Sequence, residues 1–138
     1  MSSAFGLSSL DGKVAIITGG TQGLGEATAH LFADRGAKGL VICGRNERNG
    51  EKVKAALERK GAKAIFVEAD LAKVDDSRAV VAQADKTFGR ADILVNVAGI
   101  TDRGTIWDTS PELFDQMFAV NVRAPFFLMR APRRRSPL

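Results

Sequence analysis

A glycine-rich cluster, TGGTQGLG, occupies residues 18–25 between an apolar run and a helical pattern. Glycines at such a junction allow a sharp exit from a strand, close approach of the backbone to a phosphate, and tight packing of a helix on a sheet. We assign these three tasks to Gly19, Gly23 and Gly25 in turn. The helix N-terminus behind them offers unpaired N–H groups and partial positive charge to an anion. The cluster therefore predicts a phosphate-binding turn, and a glycine-rich turn without a ligand is the alternative.

Four short runs rich in β-branched residues alternate with helical patterns and would position this turn. The runs are KVAIIT, GLVIC, AIFVEA and ADILVNV, at residues 13–18, 39–43, 64–69 and 91–97. Their nearly continuous apolarity is typical of strands buried on both faces of a sheet. Strands that alternate with helices favour a parallel sheet with right-handed crossovers. We therefore predict an α/β fold, a truncated Rossmann-type doubly wound parallel sheet of about four strands with helices on both faces.

The helical patterns carry ordinary end signals. Gly36, Gly61 and Gly89 each follow a pattern at the place where a C-terminal glycine is expected. Ser110 and Pro111 open the fourth pattern, and Pro125 should kink or end it. The apolar faces that we predict are Leu24, Ala27 or Thr28, and Leu31 or Phe32 in the first helix; Val53, Ala56 and Leu57 in the second; Ser77, Val80, Val81, Ala84 and Phe88 in the third; and Leu113, Met117, Phe118 and Val122 in the fourth.

Composition favours a single soluble domain of 138 residues with 45% apolar content. No apolar run approaches the roughly 20 residues that a membrane span needs, and residues 1–10 do not resemble a signal peptide. The one cysteine, Cys43, indicates a reducing compartment. His30 has no cysteine or carboxylate cluster at ligand spacing around it. We expect a cytoplasmic protein with neither a membrane partner nor a metal site.

The net charge of +4 comes from the end of the chain. Apart from Arg130, Arg133, Arg134 and Arg135, 16 basic residues balance 16 acidic ones. A domain without excess charge is not expected to carry a basic face for nucleic acid. We therefore expect no nucleic-acid partner, and an interaction protein that uses its basic tail remains the weakest of the alternatives.

Four motifs together resemble the short-chain dehydrogenase/reductase family. The spacing Gly19-x3-Gly23-x-Gly25 is similar to its TGxxxGxG fingerprint, and LDGKVAIITGG at residues 10–20 is similar to its usual opening. Asn96-Val97-Ala98-Gly99 resembles its NNAG motif, with Val97 in place of the second asparagine. Asn121 in FAVNVRAPFF matches its helix asparagine. The resemblance extends from about Leu10 to about Ala131.

The resemblance implies a nicotinamide dinucleotide cofactor and a role for each matched residue. Asp70 would hydrogen-bond the adenine amino group, and Asn121 would hold a water of the proton relay through its backbone carbonyl. Without the family, Asp70 is a strand-end capping residue and Asn121 a helix surface residue. The implied cofactor-binding residues are Thr18, Gly19, Thr21, Gln22, Gly23, Leu24, Gly25, Gly44, Arg45, Asn46, Asp70, Leu71, Asn96, Ala98, Gly99 and Ile100.

The end of the second strand bears on cofactor choice. An acidic residue there would bind the ribose 2′-hydroxyl of NAD, whereas this chain has Gly44 followed by Arg45. A guanidinium can bind a 2′-phosphate through paired hydrogen bonds. This arrangement resembles the NADP-preferring members and predicts that NADPH is preferred over NADH. A solvated loop arginine is the alternative.

The catalytic serine, tyrosine and lysine of the family have no counterparts in this sequence. It contains no tyrosine, its last lysine is Lys86, and its only serine after Ser110 is Ser136. We expect residues 1–131 to form an incomplete NADP(H)-binding domain and residues 132–138 to be a disordered basic tail. A frameshift or truncation near Ala131, a genuine short form, or an ordinary basic tail would each account for the ending.

The predicted function is that of an NADP(H)-dependent short-chain oxidoreductase by lineage. A complete relative would act on a small carbonyl or alcohol, and this chain by itself is expected to be inactive. A non-catalytic NADP(H)-binding module is the alternative. The fourth strand would be an exposed apolar edge, which favours association with another chain. Formation of a homo-oligomer is therefore compatible with the sequence.

Overall fold

The computed structural model describes residues 8–130. In chain order the elements are β1 (Val14–Thr18), α1 (Gly23–Asp34), β2 (Gly39–Gly44), α2 (Glu47–Arg59), β3 (Ala64–Glu68), α3 (Val74–Phe88), β4 (Ile93–Asn96), α4 (Pro111–Phe118), a π-helical segment (Ala119–Arg123) and α5 (Ala124–Leu128). The basic tail predicted for residues 132–138 lies outside the described residues. No described helix has the length and apolar character needed to cross a membrane.

The four strands form one parallel sheet in the order β3-β2-β1-β4. The chain adds β2 and β3 on one side of β1, then crosses back to place β4 on the other side. The reversal of strand order therefore lies between β1 and β4, with Thr18 directly opposite both Cys43 and Asn96. Ligands of open α/β sheets bind beyond the carboxyl ends of the strands at such a reversal. The predicted Rossmann-type sheet is confirmed.

Helices cover both faces of the sheet, as predicted. One core packs Ile17 and Ile42 against α1 and α2, with Leu57 fully buried. The other packs Ile16 and Val41 against α3 and α5. Alternate residues of each central strand point to opposite cores, because successive strand side chains face opposite sides. This explains the continuous apolar runs in β1 and β2.

The two outer strands differ from the prediction of full burial. All five residues of β1 are buried, whereas every residue of β3 except Ala64 and every residue of β4 is partly or fully exposed. Their runs are as apolar as those of the central strands, so apolarity alone did not distinguish edge strands from central ones.

The predicted apolar face of α1 was wrong in part, because Phe32, one of the predicted alternatives, packs against the core, whereas Leu24 and Leu31 do not. Leu24 is 71% exposed and Leu31 is 50% exposed, while Gly25 and Ala29 are buried. The reason is steric, because a Cβ on Gly25 would lie 2.0 Å from the carbonyl oxygen of Gly19. The helix can approach the strand end only with its small residues inward. The predicted faces of α2 and α3 bury Val53 and Leu57, and Ser77, Val80 and Ala84.

Pro125 is accommodated by a change of helix type. The five residues from Ala119 to Arg123 form a π-helical segment, and α-helix resumes with Pro125 as the second residue of α5. Proline has no N–H to donate to the carbonyl four residues earlier, which is that of Asn121. The buried residues here are Ala119, Val120, Ala124 and Leu128. Phe118 and Val122, predicted as apolar-face residues, are 52% and 54% exposed.

Candidate functional site

The turn after β1 is shaped by three glycines with separate steric requirements. Gly19 has φ +63°, and a Cβ there would lie 3.0 Å from the backbone nitrogen of Ala98. Gly25 allows α1 to press against the Gly19 carbonyl. Gly23 has φ +53° and faces open space, so no side chain stands where an anion would approach the N-terminus of α1. Gly19 and Gly25 thus have the backbone turn and the close helix packing that the sequence predicts, and the approach of a phosphate at Gly23 stays a prediction.

A cavity lies beyond the carboxyl ends of the strands, beside this turn. It encloses about 160 Å³, less than the roughly 300–1,000 Å³ of typical ligand pockets, and therefore fits one part of a dinucleotide rather than all of it. The predicted residues that line it are Gly19, Thr21, Gln22, Gly44, Arg45, Asp70, Leu71, Ala98, Gly99 and Ile100. Four lining residues were not predicted, namely Cys43, Ala69, Gln116 and Val120.

The remaining predicted residues do not line the cavity. They are Thr18, Gly23, Leu24, Gly25, Asn46 and Asn96. Asn46 caps α2, where its side-chain oxygen accepts a hydrogen bond from the N–H of Asn49 at 3.0 Å. Gly23 and Gly25 belong to the turn and act through backbone shape, whereas the exposed side chain of Leu24 lies apart from the cavity lining.

Thr18 acts beneath the cavity rather than in it. Its side chain is 1% exposed, and its hydroxyl oxygen accepts hydrogen bonds from the N–H groups of Val97 and Ala98, each at 3.1 Å. The same hydroxyl lies 3.5 Å from the carbonyl oxygen of Val95. Thr18 thereby joins the end of β1 to the loop after β4, which fixes the wall formed by Ala98 and Gly99.

Asp70 holds its own turn after β3 and also lines the cavity. Its Oδ1 accepts a hydrogen bond from the N–H of Ala72 at 3.0 Å, and its own N–H donates to Oδ2 of Asp76 at 2.7 Å. Its Oδ2 makes no hydrogen bond within residues 8–130. The capping interpretation and the adenine-binding interpretation are therefore compatible.

Asn121 lies on the helix surface, yet both ends of its amide are bonded. Its Oδ1 accepts from the N–H of Ile100 at 2.9 Å, and its Nδ2 donates to the Ile100 carbonyl at 2.7 Å. A Cβ on Gly99 would lie 3.2 Å from the same Oδ1. The π-helical segment therefore clamps the backbone that follows β4, close to the cavity.

The part of the cavity wall at the end of β2 is compact, and Arg45 places a cation at its edge. A Cβ on Gly44 would lie 3.0 Å from Oγ1 of Thr21, a residue that is 7% exposed. A larger residue at position 44 would therefore displace Thr21, whereas Arg45 is exposed and lines the cavity. Arg45 forms no ion pair within the part of the chain that the structure describes.

Cys43 lines the cavity beside Gly44 with an uncharged thiol. Burial raises the pKa of its thiol to about 12, and a hydrogen bond with the Gly19 backbone opposes that rise. A thiol in this state is protonated at neutral pH and is not a nucleophile. Cys43 therefore contributes apolar surface to the cavity.

The glycine turn, the carboxylate after β3 and the asparagine clamp all meet at one edge of a parallel sheet. A model of the short chain dehydrogenase family matches residues 13–134. The chain belongs to the short-chain dehydrogenase family. The resemblance predicted from its four motifs is confirmed.

Several known proteins are similar to this short-chain dehydrogenase chain. An uncharacterized oxidoreductase of Thermotoga maritima is 44% identical over 119 residues, which cover 86% of this chain and 46% of the relative. The crystal structure of a blue fluorescent protein from a metagenomic library, in complex with NADPH, matches with TM-score 0.85 and 33% identity over 89% of this chain and 51% of that one. L-sorbose reductase of Gluconobacter frateurii, complexed with NADPH and L-sorbose, matches with TM-score 0.85 and 35% identity over 89% and 47%.

The chain spans about half the length of the curated relatives that it matches, between 43% and 48% of each. The matched part contains the glycine turn and all the described cavity walls. The chain is therefore a short-chain oxidoreductase by family. The activity of a full-length family member is a proposal for this chain.

Proposed function

We propose that this chain binds NADP(H) at the carboxyl edge of its sheet, with one part of the dinucleotide in the cavity. The observation that carries the proposal is the convergence of Gly19, Asp70 and Gly99, from three separate strand ends, on one cavity. Gly23 leaves the N-terminus of α1 open to a pyrophosphate, which suits the partial positive charge there. The NADPH complexes of its structural neighbours support the same ligand.

We propose further that NADPH is preferred over NADH because Arg45 binds the 2′-phosphate. A carboxylate at position 44 would repel that phosphate and would also meet Thr21, whereas Gly44 leaves room for both. Replacing Arg45 with alanine removes a charge-assisted bond worth about 1.5–3 kcal/mol, so NADPH affinity should fall about 10- to 100-fold.

Calorimetric titration of Arg45→Ala with NADPH and NADH tests the preference. NADH affinity should change little, because NADH has no 2′-phosphate for the guanidinium to bind. Arg48→Ala is the matched control, since Arg48 is an exposed arginine of α2 that does not line the cavity. Equal losses for NADPH and NADH in Arg45→Ala would contradict the assignment.

We propose that the lineage reaction is hydride transfer between nicotinamide and a carbonyl or secondary alcohol. Asn121 would take part through its backbone carbonyl, which would hold a water. Pro125 supports this role, because it lacks the N–H that would otherwise occupy that carbonyl from four residues ahead. The amide side chain is already bonded to Ile100, so the role would fall to the backbone carbonyl of Asn121.

We propose that this chain by itself binds NADPH without appreciable turnover. Its sequence has no tyrosine to act as the general acid or base, and loss of such a group alone costs on the order of 10²–10⁴ in rate. Saturable NADPH binding together with no NADPH oxidation, across a panel of ketones and sugars, would support a non-catalytic binding module. Steady oxidation with any substrate would overturn it.

The proposed compartment is the cytoplasm. Its support is the single buried cysteine, which suits a reducing environment.

A further inference from the structure

Arg123, the last residue of the π-helical segment, reaches across to the loop after β3. Its Nη2 donates a hydrogen bond to the backbone carbonyl oxygen of Ala72 at 2.7 Å, 51 residues earlier in the chain. A guanidinium donor makes this bond charge-assisted and stronger than a bond between neutral groups. No carboxylate within residues 8–130 forms an ion pair with Arg123. Among the residues that the structure describes, the bond to Ala72 is therefore the polar contact that holds this side chain.

Ala72 belongs to the same turn as two residues of the cavity wall. Asp70 and Leu71 line the cavity immediately before it. The bonds inside this turn, from Ala72 N–H to Asp70 Oδ1 at 3.0 Å and from Lys73 N–H to the Asp70 carbonyl at 2.9 Å, fix its local shape. Bonds within a turn cannot fix its distance from the opposite wall of the cavity. The bond from the Asp70 N–H to Oδ2 of Asp76 joins the turn to α3, and Arg123 supplies a second bond that joins it to the π-helical segment, which also holds the opposite wall.

The opposite wall is held by the same segment. Asn121, two residues before Arg123, bonds both backbone groups of Ile100 in the loop after β4. One segment of five residues therefore bonds the loop after β3 through one side chain and the loop after β4 through another. Val120, immediately before Asn121 in this segment, lines the cavity itself.

We propose that Arg123 is a positioning residue that sets the place of Asp70 and Leu71 against the adenosine half of the dinucleotide. It touches the carbonyl of Ala72 and acts on the ligand only through the turn. The identity of the ligand rests on the proposed function, whereas the positioning role itself rests on the bond from Arg123 to Ala72 and needs no ligand. The role differs from that of Arg45, which binds the ligand directly.

Arg123→Met tests the proposal, because methionine keeps an unbranched apolar stem and loses the donor. NADPH and adenosine 2′,5′-bisphosphate, which lacks the nicotinamide half, are the two probes. The affinity for both should fall by the same factor, about tenfold, since the loss lies in the adenosine half. Arg123→Lys should restore part of the affinity, because an ammonium can also donate to a carbonyl. Arg103→Met is the control, since Arg103 is exposed and lies outside the cavity lining.

Amide hydrogen exchange of the ligand-free protein gives a second, independent measurement. Leu71 and Ala72 should exchange faster in Arg123→Met than in wild type or Arg103→Met, at unchanged thermal unfolding temperature. Unchanged exchange at these two amides would overturn the positioning role whatever the ligand. A wild-type chain that binds neither probe would overturn the proposed function and the ligand assigned to this wall.

Discussion

Gly25 is the residue whose replacement should cost most at the glycine turn. A Cβ there would lie 2.0 Å from the Gly19 carbonyl oxygen, a backbone atom that cannot move without shifting the strand end. We expect Gly25→Ala to lower the free energy of unfolding by at least about 3 kcal/mol, the upper end of ordinary overpacking costs. Urea unfolding of the purified variant measures this loss.

Gly36→Ala is the matched control for that substitution. Gly36 also lies in a turn, the one after α1, and has φ +82°. No atom lies within 4 Å of the methyl group that the substitution adds. Only the strain of a left-handed backbone remains, which costs about 1–2 kcal/mol. Equal losses for the two variants would show that close packing at Gly25 does not constrain the fold.

Local sequence patterns predicted the cavity residues that lie at strand ends, and missed those that tertiary packing brings in. Gly44 is the last residue of β2 and Asp70 lies two residues after β3, so both lie at the carboxyl ends of strands, where the family resemblance places cofactor contacts. Cys43 and Ala69 neighbour them and could have been found by the same reasoning. Gln116 comes from α4 and Val120 from the π-helical segment, and no spacing rule relates these elements to the cavity. Thr18 was predicted to bind the cofactor. In the structure its buried hydroxyl bonds the loop after β4, beneath the cavity.

Secondary-structure elements were predicted well in order and less well in orientation. The three glycines expected at helix ends, Gly36, Gly61 and Gly89, all have positive φ, as C-terminal glycines do. The inward face of α1 could not be inferred, because close packing at one glycine outweighs the more apolar stripe beside it. The π-helical segment also had no sequence signal beyond Pro125, which predicts an interruption without specifying its form.

The attachment of β4 to β1 should be sensitive to pH through Asp92. Its carboxylate accepts from the N–H of Val14 at 2.8 Å and from the Arg90 guanidinium at 2.9 and 2.6 Å. The hydrogen bond from Arg90, opposed by partial burial and aided by the bond from Val14, holds the pKa of Asp92 below its usual value. A carboxyl whose pKa is lower in the folded state contributes stability above the unfolded-state pKa of about 4, and that stability is lost as pH falls through the folded-state pKa.

Urea unfolding of wild type and Asp92→Asn over a pH series measures this contribution. The difference in unfolding free energy should be constant above about pH 4 and should shrink as pH falls further. Asp85→Asn, at an exposed position of α3, is the control for a general charge effect. A difference that does not change with pH would exclude Asp92 as its source.

The described part of the molecule has two sheet edges that are not equally protected. At one edge, α2 and α3 both pack against β3. At the other edge, β1 is the only element in extensive contact with β4 within residues 8–130. Ile93, Leu94 and Val95 are all partly exposed there. An apolar edge with unpaired N–H and C=O groups is a template for pairing with another strand.

We therefore expect this 138-residue chain to self-associate through β4. Sedimentation velocity should show a mean mass that rises with protein concentration. Hydrogen exchange at low and high concentration identifies the surface, because amides of β4 should gain protection on association while those of β3, the internal control, should not. Association with protection gained at β3 instead, or a monomer at every concentration, would contradict the assignment. Protection gained at β4 would mean that the cavity wall after this strand is also ordered by association, since Ala98 and Gly99 follow it directly.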